Sequence, residues 1–311
     1  METPIAGTGF RFRVVFLLFA VRMAVVSVSP AQADLAQGRS WLAAQVGANG
    51  GMTGDASRAI GFQATSETIE LWRAAEWSGG PVIDGLPAYL QTAEVDASTE
   101  NLARRLFMGL ASGGSNGDLR DRLLRRKGEM SGFGAFPSYQ PDPLSTSFAL
   151  AALRQYNITG EPVAQAIGFL LDSQNEDGGW GLDGDSSQVQ TSALVMQSLW
   201  EFRRDYNIGG TLTDTREFLI GHLADGGEGS PRSDTETLAL ALIPLLNEAV
   251  DRTPYDSWIA ELESRQGPAG DFEKDAYTTA LALRVLALAQ RPPADLTVLS
   301  GTIVDADSGQ P

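Results

Sequence analysis

AIGFLLDSQNEDGGW, residues 166–180, carries an apolar helical stretch into an acidic Gly-Gly turn that closes on Trp180. Nine residues of spacer follow, and Gln190-Thr191-Ser192-Ala193-Leu194 then opens a second apolar stretch. Helix, turn and helix make one supersecondary unit that is too small to bury its own apolar face. Such a unit is stable only when it is stacked against copies of itself.

Weaker copies fill most of the chain. Ser/Thr-rich starts recur at residues 66–71, 98–102, 145–150, 190–194, 235–240 and 277–281. Thr68, Asn101, Ser147, Ser192, Thr237 and Thr279 serve as equivalent anchors, at intervals of 33, 46, 45, 45 and 42 residues. The hydroxyls are expected to cap helix N–H groups, and Glu67, Glu100 and Glu236 to favour the positive end of the helix dipole. The stretches that follow, such as 193–199 and 280–288, are apolar nearly all round and predict buried inner helices. Those before each turn, such as 215–223, carry charge on one side and predict an outer layer. Six hairpins over residues 34–290 fit an all-α closed ring or an open solenoid. Closure accounts for the lack of a polar capping helix at either end.

Composition narrows the function classes. With 43% hydrophobic residues the chain can bury a sizeable core, and a net charge of −16 disfavours nucleic acid and anionic membranes. The absence of cysteine excludes disulfides, thiolate zinc sites and Cys nucleophiles. Residues 1–33 read as an export signal: Arg11 and Arg13 precede the apolar run 14–21, Arg22 interrupts it, and Ala31-Gln32-Ala33 offers a small-x-small cleavage pattern. The run is too short for a bilayer span of about 20 residues. At the other end, Arg291-Pro292-Pro293 breaks the helical pattern. Residues 296–305 turn strand-like and lead to the turn Asp307-Ser308-Gly309. This tail resembles the first strand of a carboxypeptidase-regulatory-like β-sandwich, which implies a linker and the start of a second domain over 291–311, within a longer protein.

The spacing Ala166, Phe169, Leu170, Gln174, Gly178, Trp180 resembles the repeat of squalene and oxidosqualene cyclases. Gln266, Gly270 and Phe272 keep it in the sixth hairpin, while the fifth is degenerate with Leu223, Gly226 and Glu228 at the matching places. The resemblance implies membership of the prenyltransferase and squalene-cyclase repeat superfamily and an (α/α)6 toroid, followed here by the short β tail. It also implies that Gln174 and Trp180 tie one hairpin to the next, so these residues read as scaffold.

Chemistry is harder to find. Cyclases of the resembled type use a D-x-D-D acid motif running into an inner helix. The corresponding starts here read Gln188-Val189-Gln190-Thr191, Ser233-Asp234-Thr235-Glu236 and Asp275-Ala276-Tyr277-Thr278. None supplies an acid backed by a second carboxylate. Asp183-Gly184-Asp185-Ser186 lies too early in the unit. A prenyltransferase-type zinc site lacks its cysteine, and the single histidine, His222, falls on an outer helix, so no zinc is expected. Asp177, Asp183 and Asp185 form either a solvated loop or a calcium site. Glu67, Glu70, Glu100, Asp185, Asp234, Glu236, Asp275 and Tyr277 gather at the inner-helix starts and are the candidate ligand-binding residues. Two readings follow. One is an exported, non-catalytic toroid of a larger surface or secreted protein, binding a ligand or partner at the ring cavity. The other is a divergent toroid enzyme, acting as an isoprenoid cyclase or as a polysaccharide lyase or hydrolase with Arg58 or Arg232 near its substrate.

Overall fold

A computed structural model describes residues 34–53, 59–78, 84–109, 117–127, 131–182, 186–225 and 230–291. The export-signal expectation at 1–33, the β tail from 292 onward, Arg58, Asp183, Asp185, Gly226 and Glu228 all lie outside these residues.

Among the described residues there are twelve α-helices and no β-strand. They alternate between two layers. The inner helices are α2 (Gly61–Ala74), α4 (Thr99–Gly109), α6 (Pro143–Gln155), α8 (Val189–Trp200), α10 (Thr235–Glu248) and α12 (Ala276–Gln290). The outer helices are α1 (Leu35–Ala44), α3 (Leu86–Thr92), α5 (Gly117–Leu124), α7 (Glu161–Asp172), α9 (Gly209–Ala224) and α11 (Asp256–Glu263). Each inner helix packs against the next, and α12 packs against α2. The ring is therefore closed, and the solenoid alternative falls. Six hairpins enclose one another because the inner helices, buried on nearly every side, have no other way to leave water: thirteen residues of α12 from Ala276 to Leu288 are buried without interruption.

The turns explain how copies with so little shared sequence take one shape. In three of them the same backbone bond closes the loop: Gly47 N–H to Gly51 O at 2.8 Å, Asn175 to Gly179 at 2.9 Å, and Gly267 to Asp271 at 2.7 Å. Gly50, Gly178 and Gly270 each take a left-handed φ, of +83°, +86° and +92°, and Ser131 takes +73° in the third hairpin. Two residues further on, the buried side chains of Met52, Phe133, Trp180 and Phe272 plug the gap between layers. Met52 and Phe133 belong to copies that the sequence reading did not align.

Ser98 caps α4 as expected, its Oγ accepting from Asn101 N–H at 3.3 Å, but other recurrent hydroxyls do a different job. Carboxylates cap instead: Asp142 accepts from Ser145 N–H at 2.7 Å, and Asp234 and Asp275 cap α10 and α12. Thr65, Thr146, Ser192 and Thr279 accept the backbone N–H of Met52, Phe133, Trp180 and Phe272, at 2.9, 2.9, 2.9 and 2.8 Å. Each hydroxyl thus satisfies an N–H that the turn buries and the helix cannot reach. The Thr68 anchor slips by three residues against this register, since Thr65 is the equivalent position. Glu67 consequently lies in the second turn of α2, not at its start.

Gln174 and Gln266 clamp neighbouring hairpins. Gln174 Nε2 donates to Gly178 O at 2.9 Å and reaches Thr211 O and Thr215 Oγ1 in α9 at 3.3 and 3.2 Å. Gln266 accepts from Asp34 N–H at 2.7 Å and donates back to Asp34 O at 3.1 Å, fastening the last hairpin to the first. Phe169 of α7 lies over Gly132 in the preceding turn, where a Cβ would meet its ring at 2.6 Å. Trp180 differs from the expectation: its Nε1 donates to Leu170 O at 2.9 Å, inside its own hairpin.

Candidate functional site

The centre of the ring is polar at one level. Arg104 of α4 donates to Glu67 of α2 at 3.0 Å, through Nε to Glu100 at 2.8 Å, and to Ser66 Oγ at 3.2 Å. Its guanidinium lies 5.0 Å from the Phe148 ring centroid. Arg284 of α12 reaches the other Glu67 oxygen at 3.3 Å, and Gln63 donates to Glu100 at 2.9 Å. Glu67 is thus shared by two arginines from two other helices. Burial opposes the charge on Arg104, but Glu100 and Glu67 more than offset it, so its pKa is raised. Tyr277 stands beside this network. Burial first, and then the Glu67 charge, push its phenol pKa well above the usual value, so it stays protonated.

Past this network, toward the C-terminal halves of the inner helices, lies a cavity of about 340 Å³. Glu67, Glu70, Arg104 and Arg284 stand in its wall, with the rings of Phe107 and Phe148 and the amides of Gln155 and Gln197. Arg154, Glu201 and Asn247 stand at the helix ends. Glu70 accepts from Arg73 at 3.0 Å. Burial raises its pKa, and Arg284 and then Arg73 pull it back only in part.

The structure sorts the sequence candidates. Glu67, Glu100 and Tyr277 come together around Arg104, and of these Glu67 faces the cavity. Glu236 sits in the first turn of α10, where its charge reaches Tyr277. Asp234 and Asp275 point into their own helices, accepting from Thr237 N–H at 2.8 Å and Thr278 N–H at 2.7 Å. Asp177 folds into its turn, accepting from Gly179 N–H at 3.0 Å and Ser187 Oγ at 2.7 Å. Among the described residues no three side chains are grouped to hold a metal ion. His222 packs on Phe218 and takes up its carbonyl at 2.9 Å. Arg232 pairs with Glu261 at 3.0 Å.

Arg104 and Arg284 escaped the sequence reading. The available signal was a lone arginine inside the all-apolar run 280–288, a charge that α12 would bury only with a partner.

The exposed part of the cavity wall, Glu201 and Asn247, lies at the C-terminal ends of inner helices, opposite the starts where the candidates were gathered. Among the described residues no helix is long and apolar enough to cross a membrane.

No family profile and no curated sequence matches the chain. Solved structures do. The type II terpene cyclase MstE from Scytonema superposes with a TM-score of 0.65 at 14% identity, over 82% of this chain and 97% of that one. An ent-copalyl diphosphate synthase from Streptomyces platensis gives 0.58 at 19% identity, over 75% of this chain and 51% of the other. A protein from Actinoplanes gives 0.62 at 14% identity, over 83% and 98%. Together with the closed double ring and the glutamine-clamped turns, these likenesses establish the fold: the chain is a terpenoid-cyclase-like α/α toroid.

Proposed function

We propose that the toroid is a binding module that takes a small polar ligand into its central cavity without covalent chemistry. One observation carries this reading: among its apolar side chains the cavity wall holds charged and amide groups, and its buried carboxylates Glu67 and Glu70 are tied to arginines. At about 340 Å³ the space lies at the small end of the usual range for ligand pockets, roughly 300–1,000 Å³. Cyclisation of an isoprenoid calls for a strong acid and for aromatic faces that stabilise a carbocation. Only Phe107 and Phe148 offer such faces here, and an arginine already lies over each, Arg73 at 5.0 Å and Arg104 at 5.0 Å from the ring centroids. The signal-like residues 1–33 and the β-sandwich-like tail support export as part of a larger surface or secreted protein.

The likeness to terpene cyclases favours a second reading, a divergent toroid enzyme. Incubating the full chain with geranylgeranyl diphosphate and analysing the extract by gas chromatography and mass spectrometry separates the two. The binding reading expects unchanged substrate, together with saturable heat when small polar solutes are titrated. A cyclised product would overturn it.

A further inference from the structure

Arg284 and Glu70 face the same cavity, yet they form no ion pair with each other within 4.0 Å. Each is held at one point by something else. Arg284 uses one nitrogen on Glu67, at 3.3 Å, and among the described residues no other hydrogen-bond partner is found for its guanidinium. Glu70 uses Oε1 on Arg73, at 3.0 Å. A cation and a carboxylate therefore line one cavity, both largely buried, with donors and an acceptor left over. The side-chain amides of Gln155 and Gln197 also line this space.

We infer that the cavity takes a small zwitterion, with an ammonium and a carboxylate on one short skeleton as in a free amino acid. Arg284 holds its carboxylate and Glu70 its ammonium. The inference rests on the binding reading above. Its physical basis is charge balance. A ligand with one charge would satisfy one of the two groups and bring an unmatched charge into a site where water is scarce, which is costly. An anion would also approach against the net charge of −16, and a cation against Arg284 and Arg104. A zwitterion adds no net charge. It engages both groups at an effective dielectric far below that of water, where each contact is worth several-fold more than at the surface. Arg284 suits the carboxylate because its planar fork can grip both oxygens.

Calorimetric titration of the full chain at neutral pH with the twenty common free amino acids tests this. The tightest binder is then compared with its decarboxylated amine and its deaminated acid. The expected result is affinity for the amino acid roughly tenfold or more above either analogue. Glu70→Gln should abolish the preference over the acid, and Arg284→Gln the preference over the amine. Should Arg284→Gln not fold, Arg284→Lys replaces it and should weaken the grip on the carboxylate while leaving the ammonium contribution intact. An analogue that binds as tightly as the amino acid, or binding of neutral polyols with none of amino acids, overturns the zwitterion and leaves the cavity a binding site. Silence from amino acids, amines, acids and polyols alike overturns the binding reading itself.

Discussion

Glu67 shows how one side chain can hold three helices. It is buried on α2, accepts from Arg104 of α4 at 3.0 Å and from Arg284 of α12 at 3.3 Å, and has no equivalent elsewhere in this network. Removing one partner from a buried pair leaves an uncompensated charge, which costs on the order of 3 kcal/mol. Glu67→Ala should lower the free energy of unfolding by about that amount in urea titrations, because Arg284 loses its acceptor while Arg104 keeps Glu100. A loss no larger than that of an exposed carboxylate would sink this account. Glu70 runs the other way. Its folded pKa is raised above the unfolded value near 4.5, so as pH climbs from 4.5 through the folded pKa the native state must ionise a carboxyl that burial disfavours, and stability is lost. Glu70→Gln should therefore raise the melting temperature at pH 7 by roughly 2 °C. The gain should shrink toward pH 4.5 and vanish below it. The same substitution is expected to weaken ligand binding, so Glu70 would trade stability for function.

At the scale of the element, two glycines in one hairpin make opposite predictions. Gly168 lies within α7 with no neighbour inside 4 Å of the place a Cβ would occupy, so Gly168→Ala should stabilise by up to about 1 kcal/mol through helix propensity. Gly178 has φ +86°, and a Cβ there would meet Asp214 O of α9 at 2.5 Å. Gly178→Ala should destabilise by about 2 kcal/mol or more. Thermal melts of the two variants, side by side, check both signs. The motif glycine serves close approach between hairpins, and only its place in the turn, not its residue type, sets it apart from Gly168. The hydroxyls teach a similar lesson. Ser and Thr at a helix start suggested capping, and Ser98 does cap α4, but an aspartate caps α6, α10 and α12, and Thr65, Thr146, Ser192 and Thr279 receive an N–H from the preceding turn. Sequence placed these residues at the right helices and assigned them the wrong donor, because the donor belongs to a segment seven to thirteen residues away.

At the scale of the molecule the ring stands or falls with its closure. Gln266 exchanges two hydrogen bonds with Asp34, and a Cβ on Gly270 would meet the backbone of Gln37 and Gly38 at 2.6 to 2.8 Å. Gln174 makes the corresponding contacts with α9. Gln266→Ala should speed amide hydrogen exchange in α1, and Gln174→Ala should do so in the first turns of α9, each at a cost of about 1–2 kcal/mol. A uniform rise over the whole chain in both variants would show that the clamps do not act locally. The layers, the number of hairpins and the clamp residues were legible in the sequence, because apolar periodicity and a fixed repeat are local properties of a chain. The copies at Met52 and Phe133 were missed because their turns keep the backbone conformation while changing the residues that announce it. The site was legible only in part. Glu67, Glu100 and Tyr277 were named, but as members of a mouth, whereas they pack around Arg104 beside a cavity that extends toward the other end of the inner helices.

By itself, the sequence determined that residues 34–290 form stacked helical hairpins with an apolar inner layer, since each helix must bury the face its own residues make apolar. Only the tertiary structure decided that the ring closes, which buried charges share a partner, and that Arg284 and Glu70 face one cavity without pairing. Those outcomes depend on residues brought together from more than 200 positions apart, such as Arg284 and Glu67, and no local pattern records a contact of that span.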